Sequence, residues 1–444
     1  MKELFDRYVA TLAQTERMPL PALARYQEQL LVRLVRHASR NLAFYRERLA
    51  CLFTADGAVD LARWNDVPVL TRDDVIARGD EMRVSTLPPE HGEIAEARTS
   101  GTTGVPLRIA TDGLTFMSAN ALLTRAARWF GLDTSRPLAA IRRFTNEPAP
   151  PSPDGHVKAG WSLADPDAPY YELELLTPLD RQIAWLARRR APYLVTQAAH
   201  ALAIASAVTP TEGRSLGIEM VFSISDSVPE DARALIAERL GARLAGLYSC
   251  QEIGGLACEC DRVPHYHVAA ENALIEILDD QGRDVAPGGR GRVIVTGFYN
   301  YAMPFIRYEL GDVAIAGTGP CPCGRTLPVI AEIVGRTHHA FVFRDGSRVW
   351  LRRSTIRPMH AFVPFSRYQL VQRDHERIEF RYVPDGSGRA PDVAGLNAYA
   401  RQAIHRSVEL TVTAVDALPL GPGGKLQEFV SEIASAARPK RADG

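Results

Sequence analysis

Between residues 180 and 245 the chain alternates apolar runs with helical stretches, and no other feature constrains its fold as much. "IEMVFSIS" reads as a buried strand, "PEDARALIAERLG" as a helix that ends at Gly241, and "ARLAGLYS" as the next strand. This is α/β alternation. From 266 to 315 the pattern changes to short strands, "ALIEILDDQGRDV", "GRVIVTGF" and "DVAIAG", with a turn at Asp280–Gly282. That section predicts an antiparallel, barrel-like region.

The flanks fit the same plan. Residues 1–50 read as helical, with Leu30, Leu31, Leu34 and Val35 on one stripe. Thr71 caps a helix whose first turn carries Asp73 and Asp74. "LRIATD" alternates like a strand, and residues 114–130 return to helix spacing. The segment 146–169, rich in Pro, Asp and Gly, reads as an irregular excursion. A hairpin is expected at Asp345–Gly346. Strands near 366–371, 377–383 and 409–415 and a helix near 393–406 then form a smaller α+β unit. The class is therefore α/β, with a large N-terminal domain over 1–337 and a small C-terminal domain over 338–444. At 444 residues, two structural units are also what length alone suggests.

Formal net charge is zero, so no global field recruits nucleic acid or an anionic membrane. The N-terminal residues lack the apolar core of a signal peptide, and no apolar run is long enough to span a bilayer. A cytoplasmic protein is expected. Six cysteines in so long a chain do not make a disulfide scaffold. Four of them form two C-x-C pairs, Cys258 with Cys260 and Cys321 with Cys323, and His265 and His267 stand between the pairs. Thiolate and imidazole are the ligands zinc prefers, four in a tetrahedron. On an extended strand His265 and His267 face the same way. Six candidates thus compete for four places.

"ARTSGTTGVPLRIATD", Ala97 to Asp112, holds the other dense cluster of chemistry. Ser100, Thr102 and Thr103 alternate with Gly101 and Gly104, which makes a poor helix and a good tight loop. Exposed N–H groups and hydroxyls in such a loop form an anion-binding nest.

Four stretches occur in a telling order: "TSGTTGVP" at 99–106, "YSCQE" at 248–252, "IRYELGD" at 306–312 and "LGPGGK" ending at Lys425. The chain resembles the adenylate-forming superfamily of acyl-CoA synthetases, adenylation domains and luciferases. "VRHASRNLAFYRERL", "CPCGR" and "IVGR" are similar to its phenylacetate–CoA ligase branch. The resemblance implies that Ser100, Gly101, Thr102, Thr103 and Gly104 wrap the β- and γ-phosphates of ATP. It places Glu252 with Mg²⁺, and Tyr248 and Gln251 at the nucleotide. It places Asp312 and Arg336 at the ribose, and Lys425 on the mobile C-terminal domain as the adenylation lysine. It favours Cys260, His267, Cys321 and Cys323 as the ligands of a structural Zn²⁺, leaving no open position for catalysis.

The reaction implied is activation of a carboxylic acid through acyl-AMP, then transfer to CoA, with an aryl or arylacetic acid favoured. An acceptor that is a carrier protein or an amine is the runner-up, and a zinc-containing binding protein without chemistry is a third reading. Neither nucleic acid nor membrane is an expected partner, and dimers are common in the branch. The aromatic residues Trp129, Phe130, Phe144, Trp161, Tyr170 and Tyr171 are candidates to line an aryl pocket. Three positions depart from the pattern: Val105 stands for a lysine, Gln251 for a threonine, and His338–His339 for an acidic pair at the domain hinge.

Overall fold

The computed structural model describes residues 1–98, 107–144, 154–224, 228, 230–337, 340–351, 353–419 and 428–433. The helical start is present as Lys2–Thr15 and Leu20–Asn41, separated where Pro19 caps the second helix. Leu30, Leu31, Leu34 and Val35 form its buried stripe, as the spacing predicts. Thr71 and Asp74 close a capping box at Arg72–Arg78: Asp74 N–H donates to Thr71 Oγ1 and Thr71 N–H to Asp74 Oδ2.

A twelve-stranded sheet dominates the chain. Its parallel section runs Arg243–Cys250, Met220–Ser223, Tyr193–Thr196, Leu138–Arg142, Pro169–Glu174. Side chains alternate between the faces of a strand, and here both faces are apolar. Ile141, Leu194, Val221 and Leu244 meet Trp185, Leu186, Ile204 and Ile236 from the covering helices. Ala140, Tyr193, Phe222 and Ala245 face the opposite way, toward Ala126, Trp129 and Phe130 of the helix Gly113–Trp129 and its end. The α/β alternation read from residues 180–245 is therefore a parallel sheet buried on both sides.

The remaining strands continue from Arg243–Cys250 in the order Gly254–Glu259, Tyr266–Val268, Val329–Arg336, Tyr308–Ala316, Arg290–Gly297, Ala273–Leu278. Gly254–Glu259 pairs antiparallel with both of its neighbours. Tyr266–Val268 is antiparallel to Val329–Arg336, and Arg290–Gly297 to Ala273–Leu278. Among the described residues this section does not close into a barrel; it extends the parallel section into one sheet, with Ala273–Leu278 at the far edge. Leu31, Leu34 and Val35 pack against it through Val293, Val295 and Phe305.

The excursion expected at 146–169 holds an unexpected strand. His156–Ala159 pairs antiparallel with Pro169–Glu174 and ends the sheet. Its residues are mostly exposed, so no apolar alternation marks it. Edge strands are commonly blunted in this way.

Two compact units divide the chain, the larger holding most residues up to Ile333 and the smaller holding Gly311–Val313 and Val334 onward. In the smaller unit, Phe365–Gln372 pairs antiparallel with Arg377–Pro384, and Glu409–Ala414 and Phe429–Ser431 add in parallel at either side. The helix Val393–Ala403 covers this sheet, burying Leu396 and Ala400 among Leu370, Phe380 and Leu410. The hairpin at Asp345–Gly346 joins Phe341–Val342 to Arg348–Val349, with Gly346 at φ 80°. Among the described residues no helix is long and apolar enough to cross a membrane.

One buried ion pair ties the first helix to the sheet. Arg125 Nη1 donates to both carboxylate oxygens of Glu271, at 3.1 and 3.0 Å, and Thr15 Oγ1 donates to the same group. Arg125 and Glu271 are 3% and 0% exposed, so removing one partner strands the other in the core. Glu271→Leu is expected to cost about 3–5 kcal/mol, and Arg125→Met with Glu271→Leu to recover most of that loss. Urea midpoints of the two variants check this; a double variant no more stable than the single one refutes it.

Candidate functional site

In the larger unit, "YSCQE" occupies a strand end and a tight reversal. Arg243–Cys250 turns back through Gln251–Ile253 into Gly254–Glu259, and Gly254 takes φ 92°, a region that favours glycine. The register is irregular between Tyr248 and Ser249, where the strand bends. Gln251 is left exposed and Glu252 is carried inward, to 5% exposure. Tyr308 Oη donates to Glu252 Oε1 at 3.4 Å. Burial, with the Glu252 charge beside it, holds the Tyr308 phenol well above its usual range, so it stays a donor. Tyr248 and Cys250 are half-buried against the adjoining core.

Arg307 directly precedes Tyr308 in the chain. It takes φ 50°, rare for a residue with a side chain, and is 3% exposed. Its Nη1 donates to the carbonyls of Trp64, Asn65 and Val67, and its Nε and Nη2 to the two oxygens of Glu276. These bonds hold the backbone just ahead of Tyr308. In the sequence Arg307 stands inside the motif "IRYELGD", whose resemblance assigns a role to Asp312 and none to this arginine.

In the smaller unit, Asp312 and Arg336 meet directly, Arg336 Nε lying 2.8 Å from Asp312 Oδ1. Asp312 is 6% exposed, while the Arg336 side chain is nearly half exposed. Gly311, at φ 81°, turns the backbone just before Asp312, and Thr337 Oγ1 donates to its carbonyl. Trp350 Nε1 donates to the Arg336 carbonyl at 3.0 Å.

Ser100, Gly101, Thr102, Thr103, Gly104 and Val105 lie outside the described residues, as do His338, His339 and Lys425. Their flanks are described. Ala95–Arg98 pairs antiparallel with Arg108–Thr111, Arg98 opposite Arg108, so the two ends of the glycine-rich segment are held side by side. Past Lys425, the Glu428 carbonyl accepts from Leu370 N–H at 2.8 Å, and its carboxylate accepts from Tyr368 Oη at 3.1 Å.

The cysteine and histidine pairs converge. Cys260 Sγ lies 3.7 Å from Cys321 Sγ, His265 Nε2 3.1 Å from Cys321 Sγ, and His267 Nε2 3.3 Å from Cys323 Sγ. Donor atoms of Cys260, His265, His267 and Cys321 all fall within 4.8 Å of one another. Each of three sulfurs accepts a backbone N–H from two residues further on: Cys260 from Arg262, Cys321 from Cys323, Cys323 from Arg325. Such donors favour thiolates, but burial outweighs them at Cys260 and Cys321, pushing the Cys321 thiol up to about 12, and only the Cys323 thiol is lowered. Burial pushes the His267 imidazole down to about 4 and lowers that of His265, so both are neutral, as metal ligands must be. Cys258 faces elsewhere, donating to the Glu259 carbonyl, and burial pushes its thiol up to about 12. The mutually close set is thus Cys260, His265, His267 and Cys321, with Cys323, the fourth residue favoured by the resemblance, adjoining it through His267.

The aromatic residues around 129–171 are largely structural. Trp129, Phe130 and Trp161 are 8%, 9% and 4% exposed in one core cluster. Trp129 Nε1 donates to Glu16 Oε2 and Trp161 Nε1 to the Arg136 carbonyl. Phe144 is buried beneath the Arg142 guanidinium, 4.1 Å from its ring centre. These four side chains contribute to packing.

No family model matches the chain. A 141-residue stretch, 31% of this chain, is 30% identical to phenylacetate-coenzyme A ligase of Thermus thermophilus. The match spans about a third of that relative, 31% of its length. Among solved structures, the chain is similar to 2-hydroxyisobutyryl-CoA ligase in its postadenylation state with an acyl-AMP, at TM-score 0.71 and 17% identity over 96% of this chain and 93% of that one. It is also similar to ATP-bound MatB of Rhodopseudomonas palustris, at TM-score 0.56 and 18% identity over 84% and 72% of the two chains. The fold is that of these ligases, and over the 141-residue stretch the chain is similar to phenylacetate-coenzyme A ligase.

Proposed function

We propose that this protein is an acid–thiol ligase: it joins a carboxylic acid to AMP at the expense of ATP, then transfers the acyl group to CoA. The observation that carries this reading is the ordered set of four motifs on a chain that shares the fold of 2-hydroxyisobutyryl-CoA ligase along nearly its whole length. The stretch related to phenylacetate-coenzyme A ligase makes aryl and arylacetic acids the first to test.

The residue types suit the chemistry. A carboxylate must attack the α-phosphorus, so two anions are pressed together, and the barrier is largely positional and electrostatic. Lys425 supplies a cation between them. Glu252 is suited to hold Mg²⁺, which when bound offsets the charge of the departing pyrophosphate. Tyr248 and Gln251 adjoin the adenine. Asp312 accepts hydrogen bonds from the ribose hydroxyls, oriented by its pairing with Arg336. The cluster of Cys260, His265, His267, Cys321 and Cys323 suits a structural zinc ion.

Acid-dependent ATP–pyrophosphate exchange across a panel of carboxylic acids tests the first half-reaction, and thioester formation with CoA the second. Absence of exchange with every acid would overturn the reading. A double change of Thr102 and Thr103 to alanine is expected to weaken MgATP binding by about 1–3 kcal/mol, the scale of hydrogen bonds to a charged group. Unchanged affinity in calorimetry would make the 99–106 segment only a turn.

A further inference from the structure

We propose that Asn300, which no sequence motif marks, is a positioning residue for the nucleotide half of this site. The inference rests on the role given above to Glu252. Asn300 is 2% exposed. Its Nδ2 donates to the Ala110 carbonyl at 3.0 Å and to the Glu252 carbonyl at 3.3 Å, and its Oδ1 accepts from Met303 N–H at 3.0 Å. Ala110 lies on the strand that follows the glycine-rich segment, and Glu252 is the carboxylate suited to Mg²⁺. One amide nitrogen thus fixes the backbone of Glu252 against the strand Arg108–Thr111. Two carbonyls bound to a single nitrogen cannot drift apart without breaking a buried hydrogen bond.

The residues on either side strengthen the link. Tyr301 N–H donates to Asp112 Oδ2 at 3.2 Å, and Thr115 Oγ1 donates to the Tyr299 carbonyl at 3.4 Å. Asp112 Oδ1 meanwhile accepts from Thr115 N–H at 2.9 Å, capping the helix Gly113–Trp129. Residues 299–301 are therefore stitched to 110–115 at three successive positions, and the Asn300 side chain adds the reach to Glu252. Only an amide does this. Aspartate has the same shape but no N–H, leucine neither donates nor accepts, and serine offers a single donor.

The test is steady-state pyrophosphate exchange with Asn300→Asp, read separately for MgATP and acid. A loss of about tenfold to a hundredfold in kcat/KM for MgATP is expected, the scale of a slight misplacement of reacting groups, with KM for the acid held within about twofold. Asn300→Ser is expected to fall between wild type and Asn300→Asp, and it keeps the test open if the aspartate variant does not fold. In a Glu252→Gln background the Asn300 change is expected to cost at most about twofold to threefold, because it acts through Glu252. Thr196→Val is the control. It removes a fully buried hydrogen bond to the Ile141 carbonyl in the parallel section of the sheet, and should lower stability without a selective effect on MgATP. Equal losses toward acid and MgATP, additivity with Glu252→Gln, or unchanged exchange in Asn300→Asp would each overturn the proposal. A wild-type protein without acid-dependent exchange would instead overturn the ligase reading, and this inference with it.

Discussion

Lys425→Ala is expected to lower acyl-AMP formation by several orders of magnitude, and to leave acyl transfer from supplied acyl-AMP near the wild-type rate. The asymmetry follows from when the charge is needed. During adenylation a carboxylate and an α-phosphate must approach, and one oriented cation in a water-poor site is worth a few kcal/mol of barrier, each ~1.36 kcal/mol being tenfold in rate. Once the mixed anhydride exists, the thiol attacks a neutral carbonyl and no anionic pair remains to be bridged. The substitution removes none of the described contacts that anchor the chain beyond it. Glu428 is held by Leu370 and Tyr368, and Ser431 Oγ donates to Gln372 Oε1 at 2.7 Å. Stopped-flow or single-turnover measurement of the two half-reactions decides the matter. Wild-type adenylation would remove Lys425 from the mechanism. Loss of both steps together would mean that the lysine holds its unit in place and does not act on charge alone.

The features of this molecule that are legible in the sequence are those governed by near neighbours. The Thr71–Asp74 capping box lies within one helical turn, and the buried parallel strands announce themselves because both of their faces are apolar. His265 and His267 could be placed on one side of a strand by its alternation alone, and their rings lie 5.1 Å apart. The same alternation could not choose between Cys258 and Cys260, which also share a side. That choice depends on a turn some sixty residues later, where Cys321 meets Cys260 and His265. Distance along the chain hides Asn300 as well, whose partner Ala110 is 190 residues away. Arg307, Tyr308 and Asn300 all act through long-range hydrogen bonds to backbone or to a single carboxylate. No composition or periodicity encodes such bonds. His156–Ala159 escaped for the opposite reason: it is local, but an exposed edge strand needs no apolar pattern.

The second large effect is expected from the metal cluster, and it concerns stability. The purified protein should carry about one zinc per chain, and Cys321→Ser should lower the thermal midpoint far more than Cys51→Ser. Cys321 is the hub of the cluster, touched by Cys260 and His265 and accepting the Cys323 N–H. What the ion would join is extensive. Cys260 follows the strand Gly254–Glu259, and His267 lies on Tyr266–Val268. The 321–326 turn reaches the end of the first helix, where Thr326 Oγ1 donates to the Met18 carbonyl and Thr326 N–H to that of Glu16. Arg325 braces the outside, donating to Asp261 at 2.6 Å and lying 4.1 Å from the Trp129 ring centre. Structural zinc contributes about 10–16 kcal/mol in small domains that have no other core. Here the surrounding sheet is already packed, so only a fraction of that would appear, still several kcal/mol. Cys51, by contrast, is half-buried at the edge of the main core, with its sulfur 4.0 Å from the Arg48 carbonyl. Because thiolate and neutral imidazole bind the metal, zinc release should begin as pH falls and protons compete for the ligands. His265 lies within the mutually close set and Cys323 adjoins it, so the two compete for the fourth place. His265→Ala and Cys323→Ala should therefore differ: the one that removes the spare ligand keeps zinc near one per chain, and the other loses it. Metal analysis after dialysis, paired with thermal melts, tests each of these expectations. A protein free of zinc that melts like the zinc-bound form would leave the five side chains as ordinary packing. Loss of zinc in both single variants would instead make both residues ligands and place the spare among Cys260, His267 and Cys321.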